Sequence, residues 1–448
     1  MTKILIHNDN GRRDLLGLKL LERALISNGF KVYFSNRTAL KARLRRVKPD
    51  ALIMSRGDNP TGEMASAACP VYILPGEGGR TTKETTLSVF LGRGYSAIRS
   101  AGWIRRCYLW NENTKTWLLE TGMLTPAQIK VVGNPRLDIY RSQNYQASVK
   151  KKVAGTSLRI GVAFSATSTS QCFGPPHFAE VYHDYIKKDY VLPIVPPGRN
   201  WEDILWRDHA ILRNMMHVIK EIGEYTTFQM VLRPHPLEGI SEYHFLEKRY
   251  PGRIQIQFKE TLPEFLSSID VLLTCWSTTG IEALLNDIPV ISINGLLNSE
   301  RLFDHIAKDA SGFNSYVTHY HAPKSLANLI DLLELAKANK LAPSPKAPAE
   351  TASMIKEIYG WKATQPSSCS LIAEDIAHDL DSISSQTPDG NSWRTALPLS
   401  HSIPPLFTEY GIYLRDMLKA LQSGEFQSYM SFLRCNDPHV TRLLRRVG

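Results

Sequence analysis

Two short segments carry side chains that could bind and activate a phosphorylated substrate. The first, residues 233–236, reads Arg-Pro-His-Pro and follows the apolar run 228–232. Its two prolines keep a helix or a ladder from continuing, so Arg233 and His235 stand where a predicted strand ends. A cation and an imidazole at such a tip can stabilise charge on a departing phosphate. The alternative is a surface turn with a solvated arginine.

The second segment follows a predicted strand at 269–275 and leads into a helical pattern. It contains Ser277, Thr278 and Thr279, with Glu282 three residues further on. Helix N-termini offer free N–H groups to phosphate, so the hydroxyls and amides are expected to hold a phosphate while Glu282 accepts hydrogen bonds from a ribose. A compatible alternative is that Thr279 and Glu282 form a capping box that begins the helix. The strand at 228–232 and this one are interpreted as successive.

Further polar candidates follow predicted strands near the N-terminus. Glu77 stands in a glycine-rich turn, where it could act as a general base or accept a sugar hydroxyl; a solvated acid in a turn is the alternative. Asn8 and Asp9 follow the first strand, and Arg136 follows a Gly-Asn-Pro break. These three are expected to face an acceptor substrate.

The surrounding pattern predicts an α/β protein. Residues 3–54 alternate strand, helix, strand, helix, strand, which favours a parallel, doubly wound sheet, and the alternation restarts at residue 159. Ligands of such sheets bind outside the carboxyl ends of the strands. The predicted domains are an N-terminal Rossmann-like domain (1–141), a linker (142–156), a second Rossmann-like domain (157–341), and a loose linker with a helical extension (342–448).

The composition limits the kinds of partner that are expected. The 448-residue chain has a formal net charge of +10, which suits an acidic partner such as a phosphorylated substrate or an anionic membrane surface. Its basic clusters are not interleaved with aromatic residues, so nucleic acid is not expected. The basic run 442–446 ends an amphipathic tail that packs on the protein or touches an anionic membrane.

The cysteines and the N-terminus indicate a cytoplasmic protein. The six cysteines are scattered without metal-ligand spacing, as expected of reduced thiols. The apolar part of residues 1–7 is too short for a signal peptide and reads as a first strand. No apolar stretch is long enough to span a membrane.

Five motifs in this order resemble the GT-B glycosyltransferases, and more narrowly the bacterial surface carbohydrate biosynthesis proteins of capsule and lipopolysaccharide clusters. The resemblance covers about residues 3 to 340. The motifs lie at 13–17, 74–78, 133–138, 233–236 and 277–283. It implies a GT-B-like fold, with two Rossmann-type domains that face each other across a cleft, and transfer of a sugar from a nucleotide-sugar donor to a glycan or lipid-linked acceptor.

The His-Pro pair before a Ser/Thr-rich junction is also similar to CMP-sugar enzymes, including β-Kdo transferases and polysialyltransferases, and to glycerophosphate polymerases that use CDP-glycerol. That similarity implies that His235 contacts the nucleotide phosphate and that an acid of the second domain is the nucleophile. Asp203 is the candidate by its position. No Asp-x-Asp metal motif ends a strand, so neither metal nor another cofactor is expected. Contact with the anionic inner-membrane surface is a further expectation.

Three other functions fit the same residues. A UDP-sugar 2-epimerase or a glycerophosphotransferase would use the same fold for different chemistry. A non-catalytic assembly protein would use it for binding alone.

Overall fold

The structure is a computed structural model, and it divides into two compact units. It describes residues 1–8, 11–36, 39–55, 57, 60–76, 82–90, 101–142, 145, 157–166, 201–235, 238, 240, 243–296, 315–361 and 364–383. Unit 1 holds the described residues of 1–79, 86–142 and 356–383, and unit 2 holds those of 80–85 and 143–355.

Eleven strands are present among the described residues. They are β1 (Lys3–Asn8), β2 (Lys31–Asn36), β3 (Ala51–Met54), β4 (Val71–Ile73), β5 (Ile104–Leu109), β6 (Ile129–Val131), β7 (Arg159–Val162), β8 (Gln229–Leu232), β9 (Ile254–Ile256), β10 (Val271–Thr274) and β11 (Val290–Ser292).

Twelve α-helices are present in the same part of the chain. They are α1 (Gly11–Ser27), α2 (Leu40–Val47), α3 (Pro60–Ser66), α4 (Lys83–Phe90), α5 (Glu112–Glu120), α6 (Trp201–Tyr225), α7 (His244–Arg249), α8 (Leu262–Ser267), α9 (Thr279–Leu284), α10 (Leu326–Lys337), α11 (Pro348–Tyr359) and α12 (Ser368–Ile383).

Unit 1 contains a parallel sheet in the order β2-β1-β3-β4-β5-β6. The helix α1 covers one face with Leu18, Leu21 and Leu25, which are nearly inaccessible to solvent. The helix ends at Ser27, and Gly29 then adopts φ +86°, the left-handed conformation that glycine tolerates best.

The helix α12 packs on the same face of this sheet. Cys369, Ile372, Ala373 and Ile376 belong to one buried cluster with side chains of β1, β3, β4 and β5. Asp138, in the 3₁₀ segment after β6, accepts hydrogen bonds from the amides of Ser368 (3.1 Å) and Cys369 (2.8 Å), which start α12. These contacts make α12 part of unit 1.

Unit 2 contains a parallel sheet in the order β11-β10-β7-β8-β9. The strand β9 and the helices α7 and α8 were not predicted from the sequence, and β8 and β10 were interpreted as successive strands. The β9 strand has three residues, of which only Ile254 is buried, so it carries too little apolar pattern to be recognised. In the sheet, β7 lies between β8 and β10.

The segment predicted as a loose linker after residue 341 is anchored to unit 2. The Val290 amide donates to the Pro343 carbonyl (3.2 Å), and His321 Nε2 contacts the Ala342 carbonyl (2.8 Å). These contacts hold residues 342 and 343, and proline- and alanine-rich composition does not reveal hydrogen bonds of this kind.

The two parallel sheets confirm the predicted α/β class with two doubly wound domains. No helix in the described part of the chain is both long and apolar enough to cross a bilayer. The predicted tail and its basic run lie outside the described residues.

Candidate functional site

The strand order of unit 2 places the two chemical motifs at the same edge of one sheet. The chain runs from β7 outward through β8 to β9, and then crosses to β10 and β11 on the other side of β7. The crevice between β7 and β10 is therefore the switch point, where ligands of such sheets bind. The register aligns Val162 with Leu232 and Leu273, so the motifs after β8 and β10 leave the sheet at one level, on either side of β7.

Arg233 is held by its backbone and by its guanidinium. Its amide donates to the Val162 carbonyl (2.9 Å), which extends the ladder by one residue beyond β8. Its Nη1 donates to the Glu260 carbonyl (2.7 Å), and the guanidinium lies 5.6 Å from the centre of the Phe265 ring. The half-buried arginine is thus fixed along the carboxyl edge by the start of α8, rather than solvated in a turn.

A buried acid that the sequence analysis missed supports the His235 turn. Glu238 is 2% exposed. One carboxylate oxygen accepts from the Ala166 amide (2.6 Å). The other accepts from the His235 amide (3.2 Å) and the Tyr243 hydroxyl (2.9 Å). The carboxylate therefore joins the loop after β7 to the loop after β8.

The Ser-Thr-Thr junction is ordered by its own hydroxyls. Ser277 Oγ donates to Thr279 Oγ1 (3.0 Å) and accepts from the Thr279 amide (3.2 Å). The six-residue α9 has Thr278 as its N-cap and no side-chain cap hydrogen bond, so the capping-box alternative is wrong. Thr279 is the first residue inside the helix, where its side chain does not act as the cap.

Two tyrosines from a distant segment pack on this junction. Tyr316 donates to the Trp276 carbonyl (2.9 Å), and Tyr320 donates to the Ser277 carbonyl (3.2 Å). A Cβ at Gly280 would lie 2.4 Å from the Tyr320 ring, so a larger residue at this position requires the ring to move. Nothing in the local sequence pattern indicates these tyrosine contacts.

Glu282 is buried within α9, at 2% exposure. Burial, and secondarily the charge of Glu282, raise the pKa of Tyr145, which places this carboxylate near the Tyr145 ring. Tyr145 donates to the Pro263 carbonyl (3.4 Å). The acid is therefore fixed inside unit 2 rather than exposed on a helix surface.

The helix α6 extends past the carboxyl edge of the sheet. It has 25 residues, about 37 Å at 1.5 Å per residue, whereas the four-residue β8 spans about 13 Å. Because α6 runs back toward the start of β8, its first turns stand beyond the strand tips. Asp203 lies in those turns, where the backbone alone is described.

A second acid of α6, Asp208, is buried, at 1% exposure. Burial, and then the charge of Asp208, raise the pKa of the Cys275 thiol, so this carboxylate lies near the tip of β10. Asp208 continues the buried stripe of Ile211, Met215 and Ile222 by one turn. That helical period was the available signal for its position.

The first unit has its own switch point, between β1 and β3. Asn8, the last residue of β1, is 4% exposed, and its Oδ1 has no hydrogen-bond partner among the described residues. Next to it, His7 Nδ1 lies 3.3 Å from the Ser55 hydroxyl, after β3. Asp9 and Glu77, the other candidates at these strand ends, lie outside the described residues.

The three motifs of unit 1 meet around α1. Arg13 forms an ion pair with Asp14, in which Nε donates to Oδ1 (2.6 Å) and Nη2 donates to Oδ2 (2.8 Å). A Cβ at Gly76 would lie 2.7 Å from the Asp14 carboxylate, and one at Gly17 would lie 2.9 Å from the Arg136 amide. The half-buried Arg136 is therefore positioned by the close packing of its backbone on α1.

Among the residues that the structure describes, no group of three or more His, Cys, Asp and Glu side chains is arranged to hold a metal ion.

Comparison with known proteins gives matches to solved structures alone. No protein-family model matches the chain, and no curated protein matches its sequence. A variant of the wall teichoic acid polymerase TagF matches with a TM-score of 0.50 and 12% identity, covering 86% of this chain and 90% of the polymerase.

Two other structures match with lower TM-scores. The UDP-GlcNAc 2-epimerase of Methanocaldococcus jannaschii gives 0.44 at 16% identity, covering 84% of this chain and 99% of the epimerase. MurG of Acinetobacter baumannii gives 0.40 at 11% identity, covering 85% of this chain and all (100%) of MurG. With its two parallel sheets, the chain has the two-domain α/β fold of the GT-B class.

Proposed function

We propose that the chain is a glycosyltransferase that moves a sugar from a nucleotide-sugar donor, preferably CMP-linked, to a glycan or lipid-linked glycan of the bacterial surface. The donor phosphate would lie at the carboxyl edge of the second sheet. The preference for a cytidine nucleotide follows from the resemblance of the His-Pro and Ser-Thr motifs to those of CMP-sugar enzymes. The acceptor would use the polar strand ends of unit 1.

The observation that carries this proposal is the strand order of unit 2. It brings Arg233 and His235 to one side of β7 and the Ser277–Thr279 junction to the other, at a switch point. These residues come from motifs about 40 positions apart along the chain. Their common placement at a sheet edge that favours phosphate ligands supports a nucleotide site more strongly than either motif alone.

In the proposed reaction, the protein stabilises the charge that develops on the leaving nucleotide. Arg233 and His235 would contact the phosphate, and the Ser277–Thr279 hydroxyls and amides would bind its other side. Glu282 would accept hydrogen bonds from the ribose. Because these groups provide positive charge and hydrogen-bond donors, the proposed transfer requires no metal ion, and added chelator is expected to leave the rate unchanged.

Two acids are candidates for the remaining chemical steps. Glu77 would act as the general base on the acceptor, and Asp203 would be the nucleophile if the sugar keeps its anomeric configuration. Asn8, Asp9 and Arg136 would bind the acceptor. A lipid-linked acceptor would bring the basic protein to the anionic inner face of the membrane, as a peripheral contact in the cytoplasm.

The match to a teichoic acid polymerase favours one alternative, a glycerophosphotransferase that uses CDP-glycerol, on the same fold. A UDP-sugar 2-epimerase is the other catalytic alternative, and a non-catalytic assembly protein is the third. An epimerase converts a free nucleotide sugar with no acceptor present, whereas either transferase requires an acceptor. Product analysis with and without acceptor therefore separates these functions.

The first experiment is a thermal-shift titration with CMP, CDP, UDP and GDP. A nucleotide at about 100 times its dissociation constant stabilises the folded state by about 2.7 kcal/mol, which gives a measurable rise in Tm. We expect CMP or CDP to give the largest rise. If none of the four nucleotides raises Tm, the nucleotide-dependent functions are wrong.

The second experiment is the His235→Ala variant. We expect it to abolish transfer, because the imidazole would contact the leaving phosphate, while circular dichroism and Tm stay close to those of the wild type. His217→Ala is the matched control, since the His217 side chain is 54% exposed on α6. Wild-type turnover in His235→Ala would remove this histidine from the mechanism.

A further inference from the structure

One carboxylate connects two loops of unit 2. Glu238 accepts a hydrogen bond from the amide of Ala166, after β7, and another from the amide of His235, after β8. The two strands are neighbours, but their ladder ends where the Arg233 amide donates to Val162. Beyond that point, the Glu238 carboxylate links the two loop segments.

Glu238 is buried and has further contacts beyond the two amides. The acid is 2% exposed, and Tyr243 donates to it at 2.9 Å. The Tyr243 ring in turn packs edge-on against Phe164 at 6.1 Å between ring centres. Hydrogen-bond donors stabilise a buried carboxylate, and here two of the donors are backbone amides of the candidate site.

We infer that Glu238 is a positioning residue, which holds the His235 turn and the loop after β7 in the geometry that receives the donor phosphate. Its role in catalysis rests on the proposed function, but its control of His235 does not. The loop after β7 borders the switch point, so the carboxylate connects the backbone of His235 to the sheet edge where the ligand would bind. The residue acts through His235 and Ala166 without touching the substrate.

The amide isostere breaks this connection in a defined way. Glu238→Gln keeps the shape of the side chain but has one acceptor oxygen and one donor nitrogen. Whichever way the amide is turned, its NH₂ group faces either the Ala166 amide or the His235 amide, donor against donor. Glu238→Asp keeps the charge but is one methylene too short to reach both amides. Tyr243→Phe removes a single hydroxyl and leaves both amide contacts intact.

The test measures the accessibility of His235 without any ligand. Diethyl pyrocarbonate modifies accessible imidazoles, and peptide mass spectrometry gives the rate at His235 relative to His217, the exposed reference on α6. We expect Glu238→Gln and Glu238→Asp to raise this ratio about threefold or more, because the turn opens more often. Tyr243→Phe should leave the ratio unchanged even where it lowers Tm.

Nucleotide affinity provides the second measurement. We expect Glu238→Gln to weaken the best nucleotide of the four about tenfold, with less than about twofold for Tyr243→Phe. Equal labelling ratios in all four proteins would overturn the inference and leave Glu238 a purely structural acid. If the wild type binds no nucleotide, the proposed function fails, and the labelling ratio alone decides whether Glu238 positions His235.

Discussion

At the scale of single residues, Gly280 shows how packing restricts the candidate phosphate junction. Inside a helix, alanine is normally more stabilising than glycine by about 1 kcal/mol. Here its methyl group would lie 2.4 Å from the Tyr320 ring, whose hydroxyl donates to the Ser277 carbonyl. The ring has to move for the methyl to fit, and that movement breaks the hydrogen bond to the junction.

We therefore predict that Gly280→Ala destabilises unit 2 by about 1–3 kcal/mol and weakens nucleotide binding. Chemical denaturation and nucleotide titration measure the two effects. Gly102→Ala is the matched control, because nothing lies within 4 Å of a Cβ at that position. Equal stability of both variants would show that Tyr320 does not constrain the junction.

The candidate site was predictable from sequence only in part. Arg233, His235 and Ser277 stand out because each follows an apolar strand that ends abruptly. Glu238 gives no such signal, since it lies in an irregular turn and its burial results from contacts with Ala166 and Tyr243. Residues whose role depends on tertiary contacts do not show up in the periodic pattern of apolar residues along the sequence.

At the scale of elements, the most informative helix is α12, which brings two buried acids to the face of the first sheet. Asp379 accepts from the Tyr72 hydroxyl (2.8 Å) and from Arg105 (2.7 Å). Asp375 accepts from the Tyr108 hydroxyl (2.9 Å) and forms an ion pair with Lys130. The two carboxylates are buried, and their hydrogen-bond partners are tyrosine hydroxyls and basic side chains of the strands.

The pKa of Asp379 results from opposing causes. Burial raises it, but the hydrogen bonds from Arg105 and Tyr72 and the charges of Arg105 and Arg106 together bring it below the ordinary value of 3.8. A carboxyl group with a lowered folded pKa contributes stability that is fully present above its unfolded pKa. That contribution is lost as the pH falls through the lower, folded value.

We predict that Asp379→Asn destabilises unit 1 by about 2 kcal/mol at pH 7, because charge-assisted hydrogen bonds are replaced by neutral ones. The half-exposed Arg105 keeps the effect from being larger. Thermal unfolding across a pH series measures it, and the difference from wild type should shrink below pH 3.8, the ordinary value for the group. Glu374→Gln, on the exposed side of α12, should show no such difference.

The elements themselves were predictable where they are long or strongly apolar. The pattern of α1, β1 and β3 gave their positions to within a few residues, and the helical extension expected after residue 341 contains α11 and α12. The pattern failed for α7, β9 and α8, which are three to six residues long. A short edge strand is stabilised by its neighbour in the sheet rather than by its own sequence.

At the scale of the whole molecule, the chain builds two sheets with different strand orders. Unit 1 follows the order 2-1-3-4-5-6, as in flavodoxin-like sheets, and unit 2 follows the Rossmann order, with β7 at the centre. Each order creates its own switch point, which supports one ligand site per unit. Unit 1 is also discontinuous, because its helix α12 comes after residues 143–355 of unit 2 in the sequence.

This discontinuity predicts how truncation affects the protein. The buried cluster of unit 1 joins Ile372 and Ile376 of α12 to Ile4, Ile6 and Tyr72 of the sheet. Burial of each isoleucine contributes about 1.5–3 kcal/mol, so loss of α12 removes a large share of a typical domain stability of about 5–15 kcal/mol.

We predict that a fragment of residues 1–361 unfolds its first sheet and keeps its second. Hydrogen exchange read by peptide mass spectrometry should show rapid exchange in β1 to β6 and protection in β7 to β11. A fragment of residues 1–383, which retains α12, should protect both sheets. Adding a synthetic peptide of residues 364–383 to the shorter fragment should restore protection in unit 1, because the cluster and the Asp138 cap re-form around α12. Protection of the first sheet without the peptide would show that the sheet is stable by itself and does not need α12.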